Sequence, residues 1–275
     1  MTVIAMTREM GTLGKDVASG VADALGIDIV HQELVEHHLA EYMHLSDSAV
    51  HRFLEGGSSL WERWRIDSER LSRYTAGEVL ELASRGNVLI RGWGAAQLLS
   101  DVGHIICVRV CAPMKKRVAV MMERLGIDDD RAIRREIERN DEAHSRGVQR
   151  QFSVDWRSPE HYHLVLNTGL VPVKGCVALI QQIAVSGAFI ETEDSRRVLV
   201  DKLIRAEVQK LLDGRAADMP YGGGFDVGVT AGKVTLSGVV SGQQDLSGVL
   251  TDIAALQGVT GVENRVLFAP TRFGV

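Results

Sequence analysis

Long apolar runs are missing from this chain of 275 residues. No segment reaches the roughly 18 uninterrupted apolar residues that a spanning helix needs, so no membrane span is expected. Cysteine is scarce as well. Cys107, Cys111 and Cys176 form no C-x-x-C pair and leave one over, which argues against a disulfide framework and fits a reduced, cytoplasmic compartment. An excess of positive charge is also absent: the formal net charge is −5 and the pI about 6.0. That removes the general electrostatic reason to expect nucleic-acid binding. The opening MTVIAMTREMG has no basic start followed by a long apolar core, and the expectation is that no signal peptide is present. What remains, 45% hydrophobic and 24% charged residues, is the balance of a globular protein, long enough for one large domain or two ordinary ones.

Two patterns divide the chain. In the first, strand-like and helix-like segments alternate. Thr2–Met6, Asn87–Ile90, His104–Val110 and Tyr162–Asn167 are short apolar runs suited to buried parallel strands. Lys15–Leu25, Gln32–His51, Leu60–Ser84, Met114–Leu125, Asp129–Arg150 and Val173–Ala184 have helical spacing, and Gly26 is placed to stop the first of them. The flexible stretch Glu55–Ser59 separates the second helix from the third. This alternation predicts an α/β fold with a doubly wound parallel sheet over residues 1–190.

After about Ser186 the pattern changes. Val198–Leu212 carries a helical stripe of Leu199, Leu203 and Leu211, with Val200, Ile204, Val208 and Leu212 beside it. The glycines Gly222–Gly224 precede a period-two strand, Phe225–Val229, and Ala231–Lys233 turns into Val234–Val240 as a hairpin. A helix, Leu246–Leu256, and a strand, Val262–Phe268, follow. Residues 196–270 are therefore expected to form a small α+β domain with its own core, joined to the first near Gly187–Ser195.

The chemistry is concentrated just behind the first strand, in TREMGTLGKD (Thr7–Asp16). A phosphate loop works because successive backbone N–H groups and a helix N-terminus converge on anionic oxygens while a lysine adds charge. Gly11, Thr12, Gly14, Lys15 and Asp16 are the candidates for holding donor phosphates. Two elements of the usual G-x-x-x-x-G-K-S/T pattern are absent. Glu9 stands in place of the first glycine, and Asp16 in place of the hydroxyl that helps hold Mg²⁺. Further along, Arg135, Arg139 and Arg146 fall on one helix face, with Glu136, Glu138 and Glu142 as the alternative, salt-bridging explanation for their presence.

Several segments resemble, in collinear order, the cytidylate kinase-like family, a branch of the P-loop nucleoside monophosphate kinases. TREMGTLGKD is similar to the family's SREYGSGGRE-like loop, and LGIDIVHQELVE (Leu25–Glu36) to its LGIPFYDKELIE. VLIRGWGAAQLL (Val88–Leu99) resembles VIVGRGANYIL, and CVRVCAPMKKRVAVMMERLGI (Cys107–Ile127) the strand and arginine-bearing helix after it. DWRSPEHYHLVLNTGL (Asp155–Leu170) resembles DWGDPSNYDLVLNTS. The resemblance covers about the first two-thirds of the chain. It implies ATP with Mg²⁺, and a nucleoside monophosphate acceptor such as CMP.

Carried over by position, Arg91 matches the arginine of a GRD segment that grips the acceptor's phosphate, with Gly92 where the aspartate stands. Arg139 and Arg146 match the paired lid arginines of RDxxDSxR, and Ala143 replaces its second acidic residue. The resemblance places His31 where relatives carry an aspartate. A histidine can hydrogen-bond a substrate but is a poor Mg²⁺ ligand, and Asp28 and Glu33 are the nearby carboxylates. The metal ligand is therefore left unassigned. A second reading, a nucleotide sensor that binds without transferring, follows from His31 and Ala143.

His37, His44 and His51 recur every seven residues, with His38 adjacent. Ligands at i and i+4 converge on a metal far better than at i and i+7, so a partly exposed or dimer-facing stripe is the expected use. Trp61, Trp64 and Tyr74 are expected to pack in a core or interface. The C-terminal segment Phe225–Phe268 resembles the BON domain, most of all in VTLSG up to Gly238 and in Gly258–Asn264. That resemblance implies a phospholipid or protein ligand, with peripheral membrane association as one outcome. Lys233 and Arg265 are its only cations, so attraction to an anionic bilayer is expected to be weak.

Overall fold

The computed structural model describes residues 1–30, 68–92, 94–215, 225–241 and 246–269. His31, Glu33, the histidine stripe, Trp61, Trp64, the helix expected over Gln32–His51, the first eight residues of that expected over Leu60–Ser84, Glu55–Ser59 and Gly222–Gly224 lie outside them. The chain divides into two compact units, Met1–Thr192 and Glu193–Val275.

The first unit is built on five parallel strands: β1 Val3–Arg8, β2 Asp28–Val30, β3 Val88–Arg91, β4 Ile105–Cys111 and β5 Leu164–Asn167. They lie in the order β2-β3-β1-β4-β5. Val3, Ile4, Ala5 and Met6 are fully buried, as expected of a central strand covered on both faces. Helices α1 (Gly14–Leu25) and α6 (Val173–Ala184) cover one face, where Ile4, Met6, Val17, Val21, Val108 and Ile180 pack together. Burying each such side chain contributes about 1.5–3 kcal/mol. Helices α2 (Ser68–Arg85) and α3 (Ala95–Leu98) pack against β3, β1 and β4, with Tyr74, Leu80, Ala83 and Leu99 buried. Tyr74 is thus in the core. Beyond the sheet, α4 (Met114–Leu125) and α5 (Asp130–Phe152) join through Val118, Met121, Ile133 and Ile137.

Strand β1 runs two residues past the expected end at Met6 because β4 continues alongside it. Thr7 pairs with Arg109 and Arg8 with Val110. Apolar content marks where a strand is buried; the neighbouring strand decides how far it goes. At the other end of the loop, α1 stops at Gly26, whose N–H reaches the Ala22 carbonyl.

The second unit has a long helix, α7 (Glu193–Arg215), then β6 (Asp226–Thr230), β7 (Lys233–Ser241), α8 (Ser247–Ala254) and β8 (Gly261–Ala269). Strands β6 and β7 form an antiparallel hairpin, and β8 lies parallel to β7. Ala231 and Gly232 both have positive φ, 51° and 77°, the geometry a two-residue hairpin turn demands. The Asp201 carboxylate accepts both of their N–H groups at 2.8 Å, which ties the turn to α7. The helix is longer than the expected Val198–Leu212. Ile204, Val208 and Leu212, the row expected beside the leucines, are buried in one core with Val227, Val234 and Leu236, and of the leucine series Leu199 is buried while Leu203 and Leu211 are only partly so. On β8, Glu263 accepts from Lys233 and Arg265, both at 2.7 Å, and these bonds hold its carboxyl down at about 2.

Candidate functional site

The register of the central strands sets the site. Met6 pairs with Arg91 on β3, and Thr7 with Arg109 on β4. Two arginines on neighbouring strands therefore flank the C-terminal end of β1, where open α/β sheets bind ligands. The chain then turns through Glu9–Leu13 into α1.

Glu9, which replaces the first glycine of the usual phosphate loop, is buried. Its carboxylate accepts from the Arg109 guanidinium at 2.5 Å and from the Ala112 N–H at 3.4 Å, and lies 3.5 Å from Arg117. The Arg117 side chain, 4% exposed, makes a two-pronged pair with Asp141 on α5 at 2.7 and 2.8 Å. Its Nε donates to the Met10 carbonyl at 2.7 Å. Two arginines and two carboxylates thus balance one another beneath the loop, and Glu9 adds no uncompensated negative charge. Gly11 (φ 78°) rests on the start of α4, where a Cβ would meet the Arg117 carbonyl oxygen at 2.6 Å.

Thr12 is 1% exposed, and its hydroxyl donates to the Glu9 carbonyl at 2.7 Å. That hydroxyl is spent inside the turn, so only the backbone of Thr12 is left for an anion. Just after β5, Thr168 donates to the Thr12 carbonyl at 2.5 Å, a strut that sequence reasoning did not single out. Leu13 (φ 58°) precedes the helix and no side chain caps it. A helix N-terminus of this kind suits anionic oxygens, because its first N–H groups have no partner within the helix. Lys15 and Asp16 are exposed in that first turn.

Beside the loop lies a cleft of about 150 Å³ between β1, β3, α2 and α5. Arg8, Arg91, Thr75, Asn140, His144 and Trp156 are among its lining, and the described lining holds no carboxylate. Trp156 is 1% exposed, and its indole N–H has no hydrogen-bond partner among the described residues. Arg109 lies over its ring, 5.2 Å from the centroid. His144 meets the ring edge-on at 4.4 Å. Burial lowers the His144 pKa to about 4, helped by Arg8 and Arg109 and opposed by Asp141.

At neutral pH His144 is therefore an uncharged wall of the cleft. Its folded value lies below the ordinary 6.5, so as pH falls the unfolded chain takes up the proton first. Stability is then lost between about pH 6.5 and 4. The thermal midpoint should fall across that window, and His144→Gln should flatten the slope; an unchanged slope would contradict the assignment.

The structure does not bring all the expected residues together. Arg91 reaches the cleft, and Gly11, Gly14 and Lys15 form the loop. Arg139 and Arg146 are exposed on α5, paired with Glu136 at 3.0 Å and Glu142 at 2.7 Å. The residues of α5 that line the cleft are Asn140, His144, Gly147, Val148 and Gln151. Ala143 is buried, and Asp28 is exposed on β2. Sequence reasoning missed Arg8, Asp141 and Trp156. Arg8 lies in TREMGTLGKD and Trp156 in DWRSPEHYHLVLNTGL, but nothing in the spacing assigned them a role.

The loop fits a polyphosphate: it has a helix start, a lysine, and a Glu9 whose charge is met by Arg109 and Arg117. Among the described residues no cluster of three His, Cys, Asp or Glu could hold a metal. Mg²⁺ is commonly held by one or two carboxylates together with substrate phosphates, and Asp16 is the carboxylate in place. No helix of the described residues is long and apolar enough to cross a membrane.

A parallel sheet of order β2-β3-β1-β4-β5 with a phosphate loop between β1 and α1 makes the first unit a P-loop kinase-like α/β protein. Residues 3–170 match the cytidylate kinase-like family. The chain belongs to that family, and its membership implies a nucleotide substrate. Among solved structures it is similar to an uncharacterized protein from Eubacterium ventriosum, at 18% identity and TM-score 0.54, covering 68% of this chain and 99% of that one. It is also similar to TT1252 from Thermus thermophilus (16% identity, TM-score 0.44, 68% and 98% covered). A third is a shikimate kinase from Acinetobacter baumannii in complex with shikimate (14% identity, TM-score 0.38, 66% and 92% covered). No curated protein matches.

Proposed function

We propose that this protein binds ATP·Mg²⁺ at Gly11–Lys15 and transfers its γ-phosphoryl to a nucleoside monophosphate such as CMP. The observation that carries the reading is the cleft beside the loop, with Arg8 and Arg91 on its wall and no carboxylate in its described lining. Such a lining favours an anionic acceptor, because an anion gains charge-assisted hydrogen bonds there. In this reading Lys15 and the backbone of Gly11, Thr12 and Gly14 take the donor phosphates, Asp16 faces the metal, and Arg91 takes the acceptor's phosphate. Arg139 and Arg146 join when α5 closes over bound nucleotides, exchanging their glutamates for phosphate oxygens. Bound metal would neutralise charge on the phosphates.

The second unit is read as a BON-like module that tethers or regulates the kinase through a lipid or protein ligand. The exposed, glutamate-paired state of Arg139 and Arg146 favours one rival: a nucleotide sensor without transfer. Calorimetric titration of ATP, run beside turnover assays over CMP, dCMP, UMP and AMP, separates the two. Micromolar binding with turnover on at least one acceptor is the expected result. Binding with no turnover on any of the four favours the sensor, and no binding removes both readings.

A further inference from the structure

Arg8 is the last residue of β1, paired with Val110 of β4 and immediately followed by the buried Glu9. Its side chain crosses the start of α1. A Cβ on Gly14 would lie 2.8 Å from the Arg8 Cβ and 2.9 Å from its Cδ, so the arginine stem rests on the residue just before Lys15. Arg8 also lines the cleft that Arg91 enters from β3 and His144 from α5. It lies close enough to His144 to help hold that ring neutral. The side chain thus spans the distance between the helix N-terminus that suits donor phosphates and the cleft that suits the acceptor. Arg139 and Arg146 face solvent instead, on their own glutamates.

We propose that Arg8 is a catalytic residue, a cation supplied by the strand end itself that contacts the γ-phosphoryl group in transit. This rests on the phosphoryl-transfer reading above. In that step the bond from γ-phosphorus to the β–γ bridging oxygen breaks, and its electron pair stays on ADP. An oxygen of the acceptor's phosphate supplies the pair for the new P–O bond. That oxygen is already anionic near neutral pH, so no base has to remove a proton. Charge spreads over the three equatorial oxygens in flight, and a guanidinium fork can bind two of them at once. A lysine at position 8 would keep the charge and most of the stem over Gly14 but lose the fork. Because Gly14 has no side chain, the arginine lies directly on the helix start.

The test uses the full chain with Arg8→Lys and, as a second variant, Arg8→Gln, each checked for an unchanged thermal midpoint. ADP affinity is measured by calorimetry with Mg²⁺ and each of the four monophosphates, with and without aluminium fluoride, which mimics the planar group in transit; kcat is measured in parallel. In the wild type, aluminium fluoride should tighten ADP binding at least tenfold with one acceptor. In Arg8→Lys, ADP affinity without fluoride should stay within about threefold, the fluoride gain should vanish, and kcat should fall about 10²–10³-fold, the usual cost of removing one transition-state donor. A variant that keeps the gain and kcat overturns the role of Arg8 and leaves the transfer reading standing. A variant whose ADP affinity falls as far as its kcat also overturns it, since Arg8 would then serve ground-state binding. A wild type that binds ADP but shows no gain with any monophosphate sinks the transfer reading and the proposal together. If Arg8→Lys does not fold, Arg8→Gln is read by the same outcomes.

Discussion

Replacing Lys15 with alanine should lower kcat/KM for phosphoryl transfer by about 10³-fold while leaving the thermal midpoint almost unchanged. Lys15 is exposed in the first turn of α1, directly after Gly14, where a side chain adds little to the core. Its charge stands at the helix end that favours anions, and its Nζ can follow the γ-oxygens as their charge builds. ATP affinity should fall less than turnover, because backbone N–H groups share the ground-state binding. Lys15→Arg should recover part of the affinity but little of the rate, since a planar fork does not replace a compact ammonium. Calorimetry and steady-state kinetics on the same preparations check both halves. If Lys15→Ala binds and transfers like the wild type, the phosphate-loop assignment is wrong.

Arg117→Ala should have the opposite signature, a large loss of stability. The change removes the two-pronged bond to Asp141 and the bond to the Met10 carbonyl, and among the described residues it leaves the buried Asp141 with the more distant Arg157, at 3.7 Å, as its ion-pair partner. Breaking one side of a buried pair typically costs about 3–5 kcal/mol. At a urea slope of about 2 kcal/mol per molar, the midpoint of the first unit should drop by on the order of 2 M. Nucleotide affinity should fall as well, because the Arg117 backbone is the surface on which Gly11 rests. Arg117→Met with Asp141→Leu should regain most of the stability, as apolar replacement of both partners removes the uncompensated charge. A loss below about 1 kcal/mol in the single variant would mean that the pair does not hold loop and helix together.

Glu9 shows what spacing can and cannot reveal. Its position in the loop was legible, and the resemblance already made it unremarkable for the family. Its orientation was not. Whether an acid at that place repels phosphates or braces the loop depends on Arg109, 100 residues later, and Arg117, 108 residues later. The arginines of α5 show the reverse. Both readings of Arg139 and Arg146, lid residues or salt-bridged surface, were open in the sequence. The structure places them on Glu136 and Glu142 and gives the cleft to the next face of the helix.

What the sequence alone determined is local. Apolar runs marked the strands, helical spacing marked α4 and α6 to the residue, Gly26 marked the end of α1, and the loop before it was recognisable by Gly14 and Lys15. These depend on neighbours a few residues apart, so periodicity and turn chemistry carry them. Only the tertiary structure decided which charges meet. Parallel register set Arg91 and Arg109 on either side of β1, packing of α4 against α5 joined Arg117 to Asp141, and the missing side chain at Gly14 let Arg8 lie across the helix start. Contacts between distant segments follow from strand order and burial, for which no stretch of sequence holds the information by itself.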